Sequence, residues 1–339
     1  MHLPSLLPVL VAAIAVNASC HSRTPEELYG RPPAGRDAGA SDAESGDGST
    51  FGPLDAGSHD AGDPSPPEGR IRVASFNVRR FFDTVCDSAA CGGDEYEELP
   101  TQRQFEDRAQ QIAAAIRGLG VHAVLLQEIE TQAAFDALAQ RLPEMTAGAF
   151  GEIGLPGSVD VGILARGQLD EVRKHRADKV LTRPDGSRTY FSRELLEAHL
   201  RIGEAPVALF VAHFRSKNND DPGRRLAEAQ AAAEIIAATA AERPETLVVF
   251  GGDLNDEPGS APLAALESPG GLVRVAGELP DDEAGTYWYS GPHAIDHLFI
   301  DARASGAYVP GTVRVAHGVG WGLGGSDHAA LVADFLPPQ

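Results

Sequence analysis

The sequence predicts an α/β fold for residues 71–339, because apolar runs of strand length alternate with helical patterns. Runs of this length, bounded by turn residues, are typical of buried strands. They lie at 71–76, 122–127, 159–165, 206–212, 246–251, 295–300 and 329–335. Taken by itself, this alternation predicts an open parallel sheet with helices on its faces.

Three segments have helical patterns, at 104–118, 131–142 and the alanine-rich 223–242. The third follows Asp221 and Pro222, residue types that commonly begin helices. No GxGxxG or GxxxxGK[ST] motif follows any of the predicted strands. Folds that hold a nucleotide in a glycine-rich loop are therefore disfavoured.

Residues 1–20 have the features of an export signal. The apolar stretch from Leu3 to Val16 is of signal-peptide length and too short to span a bilayer. It runs into Asn17-Ala18-Ser19-Cys20, which resembles a bacterial lipoprotein signal whose cysteine becomes the lipidated first residue. We expect Cys20 to anchor the protein to the outer membrane. The alternatives are an ordinary cleaved signal, which would leave a periplasmic or extracellular protein, and a buried N-terminal strand.

Residues 21–70 are predicted to be a disordered acidic tether. They contain nine Gly and seven Pro, and the triplet Asp-Ala-Gly occurs at 37–39, 55–57 and 60–62. Such a segment cannot bury enough apolar surface to offset its chain entropy. The triplets could form a degenerate binding repeat, but a plain spacer is the simpler interpretation.

Two cysteines remain if Cys20 is lipidated. Cys86 and Cys91 are five residues apart, and an oxidising compartment would let them close a small disulfide loop. Two free thiols are the alternative.

Short polar clusters border six of the apolar runs. They are Ser75-Phe76-Asn77, Gln127-Glu128, His213, Gly252-Asp253-Leu254-Asn255, Asp296-His297 and Ser326-Asp327-His328. Each alone has a structural explanation, since Asp253 and Asn255 could simply shape a turn. Glu128 is harder to explain, because it directly follows a buried run and a buried charge must be paired or metal-bound. Carboxylates, amides and imidazoles without a thiol or serine nucleophile favour hard-metal chemistry on a phosphate ester.

These clusters carry a resemblance to a known family. Phe76-Asn77-Val78-Arg79, Leu126-Gln127-Glu128, Ser192-Arg193-Glu194, Ala212 to Lys217, Gly252 to Asp256, Ile295-Asp296-His297 and Ser326-Asp327-His328 occur in the order of the endonuclease/exonuclease/phosphatase superfamily. The resemblance spans roughly 71–336. It implies a DNase I-like, four-layered α/β sandwich, with two mixed β-sheets face to face, helices outside, and the active site at one end.

The resemblance also implies roles for individual residues. Glu128 would be the principal ligand of Mg²⁺, or of Mn²⁺ in its place, with Asn77 and Asp327 nearby. Asp253 and Asn255 would orient the attacking water and hydrogen-bond the phosphate.

The two histidines receive different roles. His328, held by Asp296, would be the general base, since a carboxylate on the other ring nitrogen fixes the tautomer and raises basicity. His213 would stabilise the developing charge or assist the leaving oxygen. Its own acidic partner stays open between Asp160 and Glu194.

Four cationic residues are expected to contact the substrate: Arg79, Arg193, Arg215 and Lys217. Arg224 and Arg225 could join them, or could equally form the solvated start of a helix. Around His213 the sequence is similar to secreted bacterial nucleases of the superfamily, which predicts an exported nuclease of low sequence specificity. We expect it to act as a monomer.

The net charge argues against strong binding of nucleic acid. Of the formal charge of −21, the tether supplies −6, so residues 71–339 keep −15. Phosphate contacts dominate non-specific affinity for nucleic acid, so such a domain needs a local basic groove or binds weakly. An enzyme for a small phosphodiester or a phospholipid headgroup is therefore the alternative, and an inactive surface binding protein is a third. The lipid alternative lacks an exposed aromatic hairpin, because Tyr287-Trp288-Tyr289 is expected to pack as a strand beside Asp296.

Overall fold

Two six-stranded sheets packed face to face form the centre of the fold. The computed structural model describes residues 65–268 and 270–338. The predicted signal segment, Cys20 and nearly all of the predicted tether lie outside the described residues. None of the described helices is both long and apolar enough to cross a membrane.

The first sheet has the order β15-β16-β1-β2-β4-β3. Its strands are β1 (Ile71–Phe81), β2 (Ala123–Ile129), β3 (Ala147–Phe150), β4 (Asp160–Ala165), β15 (Arg314–Ala316) and β16 (Ala330–Phe335). Only β1 and β2 are parallel neighbours, and the other pairs of this sheet are antiparallel.

The second sheet has the order β11-β14-β10-β9-β8-β5. Its strands are β5 (Gln168–Lys174), β8 (Leu196–Ile202), β9 (Ala205–His213), β10 (Leu247–Asp253), β11 (Leu272–Arg274) and β14 (Asp296–Asp301). Here β9 and β10 are the parallel pair. Two short hairpins stand apart from the sheets, β6 (Leu181–Thr182) with β7 (Arg188–Thr189) and β12 (Tyr287–Trp288) with β13 (Pro292–His293).

Helices cover the outer face of each sheet. Buried side chains of α1 (Gln102–Leu119) and α2 (Gln132–Gln140) pack with the first sheet, and those of α3 (Pro222–Glu242) and α4 (Ala261–Leu266) pack with the second. Asp221 caps α3, since its carboxylate accepts the N–H of Arg224 at 2.9 Å. Pro222 then provides a fixed φ at the first turn.

Besides the apolar cores between each sheet and its helices, a further apolar core lies between the two sheets. In β2, Leu125 belongs to this inner core while Val124 and Leu126 face the helices, so both faces of the strand are buried. Strands buried on both faces read as continuous apolar runs. The four-layered sandwich implied by the resemblance is thus confirmed. The open parallel sheet is wrong, because an apolar run marks burial but not the direction of its neighbouring strand.

The aromatic run near Asp296 also differs from the sequence prediction. Tyr287 lies against the site, but Trp288 and Tyr289 stand at the tip of the β12–β13 hairpin and are 51% and 70% exposed. The expectation that no exposed aromatic hairpin exists is therefore wrong.

A buried carboxylate links β8 to α3 and to the segment that follows β5. Glu197 accepts hydrogen bonds from His199 at 2.6 Å, His175 at 2.7 Å and Thr239 at 2.9 Å. Burial alone would raise the pKa of Glu197, but these hydrogen bonds outweigh it and lower the pKa to about 2. The charged carboxylate is therefore part of the stable fold.

Glu197→Gln should lower the free energy of unfolding by about 3 kcal/mol at neutral pH, because it breaks a buried hydrogen-bonded charge network. The folded pKa of about 2 lies below the usual glutamate value of 4.5. The wild-type stability from this group is therefore fully present above about pH 4.5 and is lost as the pH falls towards 2. Urea unfolding of both proteins at neutral and acid pH measures this. Exposed Glu245 supplies the control, and equal unfolding of Glu197→Gln and Glu245→Gln would contradict the prediction.

Candidate active site

Polar side chains from both sheets meet at one end of the sandwich. Asn77 comes from β1, and its amide nitrogen donates to Glu128 Oε1 at 3.1 Å and to Asp253 Oδ2 at 3.0 Å. Glu128 lies at the end of β2 and Asp253 at the end of β10. One buried amide therefore joins carboxylates of the two sheets.

Backbone irregularities on two neighbouring strands position Glu128. The pairing of β1 with β2 shifts register after Asn77, and Arg79, Arg80 and Glu128 have φ angles of 53°, 43° and 67°. Such left-handed conformations cost about 1–3 kcal/mol for residues other than glycine and concentrate at functional sites. The Arg80 N–H donates to Glu128 Oε2 at 2.9 Å, so both oxygens of the carboxylate are held.

Because Gly252 has no side chain, β9 and β10 can approach each other closely at this position. Its φ is 153°, and a Cβ there would lie 1.9 Å from the carbonyl oxygen of Ala212. In this register Asp253 lies opposite His213, and Asp253 Oδ2 is 3.6 Å from His213 Nε2.

His328 and Asp296 form a buried pair. His328 Nδ1 lies 2.8 Å from Asp296 Oδ2, and the ring of Tyr287 packs on the imidazole with centroids 4.9 Å apart. The Ser326 hydroxyl donates to the carbonyl of Asn77 at 2.7 Å and accepts the His328 N–H at 3.0 Å. Ser326 therefore fixes the histidine relative to β1.

Asp253 is the centre of the site. Its carboxylate belongs to two groups whose ligating atoms lie within 4.8 Å of one another, one with Glu128 and His213 and the other with Asp296 and His328. Burial, followed by the negative charge of Asp296, raises the pKa of Asp253 to about 7. The carboxylates repel one another, so one of them tends to hold a proton when no cation is bound. Their oxygen atoms are ligands that a hard divalent cation prefers, and such a cation would offset the repulsion.

The electrostatics of the other groups follow from burial and charge. Burial lowers the pKa of His213 to about 4, against the opposing charge of Glu128. Burial also acts against protonation of His328, but Asp296 and Asp253 outweigh it and raise its pKa to about 10. Glu128 is ionised, because His213, Asn77 and His328 outweigh its burial and lower its pKa.

Two of the predicted metal ligands are placed differently from the sequence interpretation. Asn77 Oδ1 accepts the N–H of Arg79 at 2.9 Å, so the amide nitrogen faces the carboxylates and Asn77 acts as a donor. Asp327 Oδ2 lies 3.5 Å from Arg79 Nε at the mouth of the site and is in neither compact group. Asn77 thus lies beside Glu128 as a hydrogen-bond donor, and its amide nitrogen also contacts Asp253.

The acidic neighbours of His213 are Asp253 and Glu128, and neither of the two candidates from the sequence. Asp160 Oδ2 accepts from Ile153 N at 3.1 Å, and Glu194 Oε1 accepts from the N–H groups of His175 and Arg176. His213 Nδ1 is buried without a hydrogen-bond partner among the described residues. A strand pattern cannot show that the neighbouring strand puts Asp253 in register with His213.

Asn255 follows Asp253 on the turn after β10. Its N–H donates to Asp253 Oδ1 at 2.9 Å, and its side-chain nitrogen donates to the carbonyl of Phe214 at 3.2 Å. Asn255 therefore holds the turn beside Asp253, and its φ of 53° is a further left-handed conformation at the site.

The predicted substrate-binding cations are partly engaged within the protein. Arg193 donates to backbone carbonyls, including that of Val159, and its charge helps to lower the pKa of His213. Arg215 donates to the carbonyls of Asn218 and Asn219 at 3.2 and 2.8 Å. Lys217 Nζ lies 3.1 Å from Asp256 Oδ1.

Arg225 matches neither sequence interpretation. It is 2% exposed, and its guanidinium binds Asp256 at 2.9 Å and Asp220 at 2.7 Å. It is therefore neither free for substrate nor solvated. Arg224 donates to the carbonyl of Tyr190 at 3.0 Å.

Sequence reasoning missed two residues that shape the site. Buried Glu228 accepts the N–H of Ser192 at 2.6 Å and that of Arg215 at 2.8 Å, which ties together the segments that carry Arg193 and His213. Its position after Arg224-Arg225 on a polar helix start gave no sign of burial. Tyr96 lies under the Arg80 guanidinium at 4.7 Å, and burial followed by the charge of Glu128 raises its pKa.

A cross-linked loop carries Tyr96. Cys86 and Cys91 are joined by a disulfide, with their Cα atoms 6.0 Å apart. Buried Glu97 accepts the N–H groups of Asp87 and Ser88 at 2.6 and 2.8 Å. The loop is thereby fixed beside the mouth of the site.

The two facing sheets, with an acidic and imidazole-rich site at one end, define a DNase I-like hydrolase fold. The chain belongs to the Endonuclease/Exonuclease/phosphatase family, whose model matches residues 74–328. No curated protein sequence matches the chain.

Solved structures share this fold. The human Nocturnin catalytic domain with bound sulfate is 18% identical, with a TM-score of 0.56 over 79% of this chain and 93% of its own. D. rerio TDP2 complexed with single-strand DNA product is 19% identical, with a TM-score of 0.53 over 79% of this chain and 99% of its own. Sphingomyelinase C from Streptomyces griseocarneus is 18% identical, with a TM-score of 0.53 over 78% of this chain and 99% of its own. At these identities the likeness concerns the fold alone.

Proposed function

We propose that this protein is an exported, Mg²⁺-dependent nuclease of low sequence specificity. The observation that carries the proposal is the position of Asp253, which joins a candidate cation site at Glu128 to the His328–Asp296 pair within one buried cluster. Phosphodiester hydrolysis needs a proton acceptor for water next to charge neutralisation on the phosphate. Membership of the family supports this chemistry.

Glu128 and Asp253 would hold the cation. Mg²⁺ suits their oxygen atoms, and Mn²⁺ would be accepted too. A bound cation would neutralise charge on the phosphate oxygens and would offset the negative charge of Asp253 that raises the pKa of His328.

The chain's own groups would move the protons. Asp296 holds Nδ1 of His328, which leaves Nε2, 4.0 Å from Asp253 Oδ2, as the atom that would take the proton of the attacking water once a bound cation has offset the negative charge that keeps the ring protonated. His213 stays neutral because burial lowers its pKa to about 4, so it would stabilise charge on the leaving oxygen as a hydrogen-bond donor. Asn255, on the turn next to Asp253, would hydrogen-bond the phosphate.

Arg79 and Arg193 support a polyanionic substrate. The Arg79 side chain, beside Asp327, is 53% exposed. The charge of Arg193 is near enough to His213 to help lower its pKa. These cations could guide a phosphate backbone to the site despite the net charge of the domain. A phosphodiesterase for a small molecule or a phospholipid headgroup is the second candidate function, favoured by the exposed Trp288 and Tyr289.

Comparing substrates separates these functions. Purified protein is incubated at low salt with plasmid DNA, single-stranded DNA, RNA, a small synthetic phosphodiester and sphingomyelin vesicles, with Mg²⁺, with Mn²⁺ and with chelator. We expect cleavage of nucleic acid and of the small diester with either metal, and none with chelator. Cleavage of the small diester or the lipid alone would make the nuclease assignment wrong.

Export is proposed from the first twenty residues, and Cys20 lies outside the described residues. In a bacterial host the unchanged protein should fractionate with membranes, while Cys20→Ala should be released or left unprocessed, because lipid chains supply the hydrophobic anchor. Immunoblots of membrane and soluble fractions measure this, with Cys86→Ala as a control that keeps the signal intact. Equal membrane association of wild type and Cys20→Ala would contradict the lipoprotein proposal.

A further inference from the structure

Four aromatic side chains lie in two segments beside the active site, three of them exposed and Trp321 half-buried. Trp288 and Tyr289 come from the tip of the β12–β13 hairpin, and His317 and Trp321 come from the loop before His328. The Trp288 and Trp321 rings are 4.6 Å apart, and His317 stacks on Trp321 at 5.7 Å with an interplanar angle of 10°. We call these four residues the aromatic platform.

Both segments of the aromatic platform continue directly into the catalytic cluster. Trp288 follows Tyr287, whose ring packs on His328. The loop that carries Trp321 is closed by a hydrogen bond from the N–H of Leu323 to the carbonyl of His328, at 2.9 Å. A ligand on the rings would therefore reach the site that we propose cleaves phosphodiesters.

The platform loop adopts a strained conformation. Trp321 has a φ of 98°, a region that residues with side chains rarely adopt, and its indole nitrogen is buried without a hydrogen-bond partner among the described residues. Such strain persists only where the surrounding structure imposes it and is concentrated at functional sites. This backbone conformation places the Trp321 ring in contact with both His317 and Trp288.

We propose that the aromatic platform stacks unpaired bases of single-stranded nucleic acid, and that the enzyme therefore prefers single strands to duplexes. This inference rests on the proposed nuclease function. Aromatic rings bind bases of any sequence, because every base has a π-face. In a duplex those faces are already covered by neighbouring bases.

The charge of the domain makes base stacking more important for binding a strand than phosphate contacts. Residues 71–339 carry a net charge of −15, and Arg215 and Lys217 are engaged by loop carbonyls and by Asp256. Phosphate contacts alone would therefore bind a strand weakly, whereas stacking needs no cation.

A membrane is the less suitable occupant. Asp281, Asp282 and Glu283 are exposed a few residues before the hairpin, and their charges disfavour insertion of this segment into a bilayer. A single strand can instead place its bases on the rings while its phosphates run towards Arg79 and Arg193.

The test measures binding in chelator, where no cleavage occurs, with Trp288→Ala as the main variant and Tyr289→Ala as the second. Both side chains are at least half exposed, so the variants should fold, as thermal melts will show. We expect about tenfold weaker binding of a labelled single-stranded oligonucleotide by Trp288→Ala, and recovery with Trp288→Phe. An abasic oligonucleotide of the same length keeps the phosphates without the bases and should bind wild type and Trp288→Ala equally.

Each outcome decides a separate question. Unchanged single-strand binding by both alanine variants, or equal wild-type affinity for single strands and duplexes, would overturn the inference. Binding of wild type to phosphatidylcholine vesicles that is lost in Trp288→Ala, with oligonucleotide binding unchanged, would overturn it in favour of a lipid surface. If wild type binds single strands through Trp288 but cleaves none with Mg²⁺ or Mn²⁺, the inference stands and the nuclease function fails.

Discussion

Replacing His328 with alanine should lower turnover of a phosphodiester by at least about 10²-fold, because a general base contributes about 10²- to 10⁴-fold. The side chain is buried against Tyr287 and is held at 2.8 Å by Asp296, so no bulk water can take over its position without rearrangement. The kcat with saturating Mg²⁺ measures the effect. Asp296→Asn should also lower kcat, because an amide no longer favours the protonated ring.

His213→Ala gives the companion measurement. The loss of turnover in His213→Ala should also reach about 10²-fold. The double variant with His328→Ala should lose less than the product of the two single losses, because the effects of groups that act as a unit are not additive. His122 is a suitable control, since it lies just before the start of β2, whereas Glu128 lies near the end of that strand. His122→Asn should keep kcat. A kcat of His328→Ala within about twofold of wild type would exclude this base.

Replacing Glu128 with glutamine should abolish activity and the stabilisation by Mg²⁺ together. The loss should be at least about 10³-fold, since a bound cation is worth several kcal/mol of charge stabilisation and each 1.36 kcal/mol is tenfold. The metal-free fold should be slightly less stable, because glutamine cannot accept hydrogen bonds from both Asn77 and Arg80 and lacks the charge that the site favours. Thermal melts with and without Mg²⁺, beside the activity assay, measure both effects.

Exposed Glu152 supplies the matched control. Glu152→Gln should keep full activity and the Mg²⁺-dependent shift of the melting temperature. If Glu128→Gln keeps the shift while losing activity, Glu128 acts on the substrate and the cation lies elsewhere.

The sequence predicts the strands of this fold better than their arrangement. Apolar runs such as 122–127 and 246–251 mark β2 and β10, because both faces of these strands are buried. Hydrophobic periodicity reports burial, while pairing direction depends on contacts between distant segments. The face-to-face arrangement therefore came from the resemblance and not from the pattern.

The same distinction applies to the site. Glu128 stands out in the sequence because a charge directly follows a buried run. The central position of Asp253 depends on the register of β10 with β9 and on the bridge from Asn77 between the two sheets. The orientation of the Asn77 amide depends on one N–H, that of Arg79, which no local pattern reveals.

The exposed hairpin was missed for another physical reason. Tyr287, Trp288 and Tyr289 are strand-forming residues, and such runs usually pack inside a sheet. Here the hairpin is two residues long on each side and lies outside both sheets, so only Tyr287 reaches the cluster.

The most direct test of the account is the rate of hydrolysis of a phosphodiester bond by the wild-type protein while Mg²⁺ is titrated from chelated to saturating concentration. Single-stranded DNA and a small synthetic diester serve as parallel substrates. The cluster around Glu128 and Asp253 predicts a saturable rise from no detectable rate, with the same Mg²⁺ dependence for both substrates and no rise in Glu128→Gln. Full activity of the wild type in chelator would contradict the central claim that this cluster cleaves phosphodiesters with a bound divalent cation.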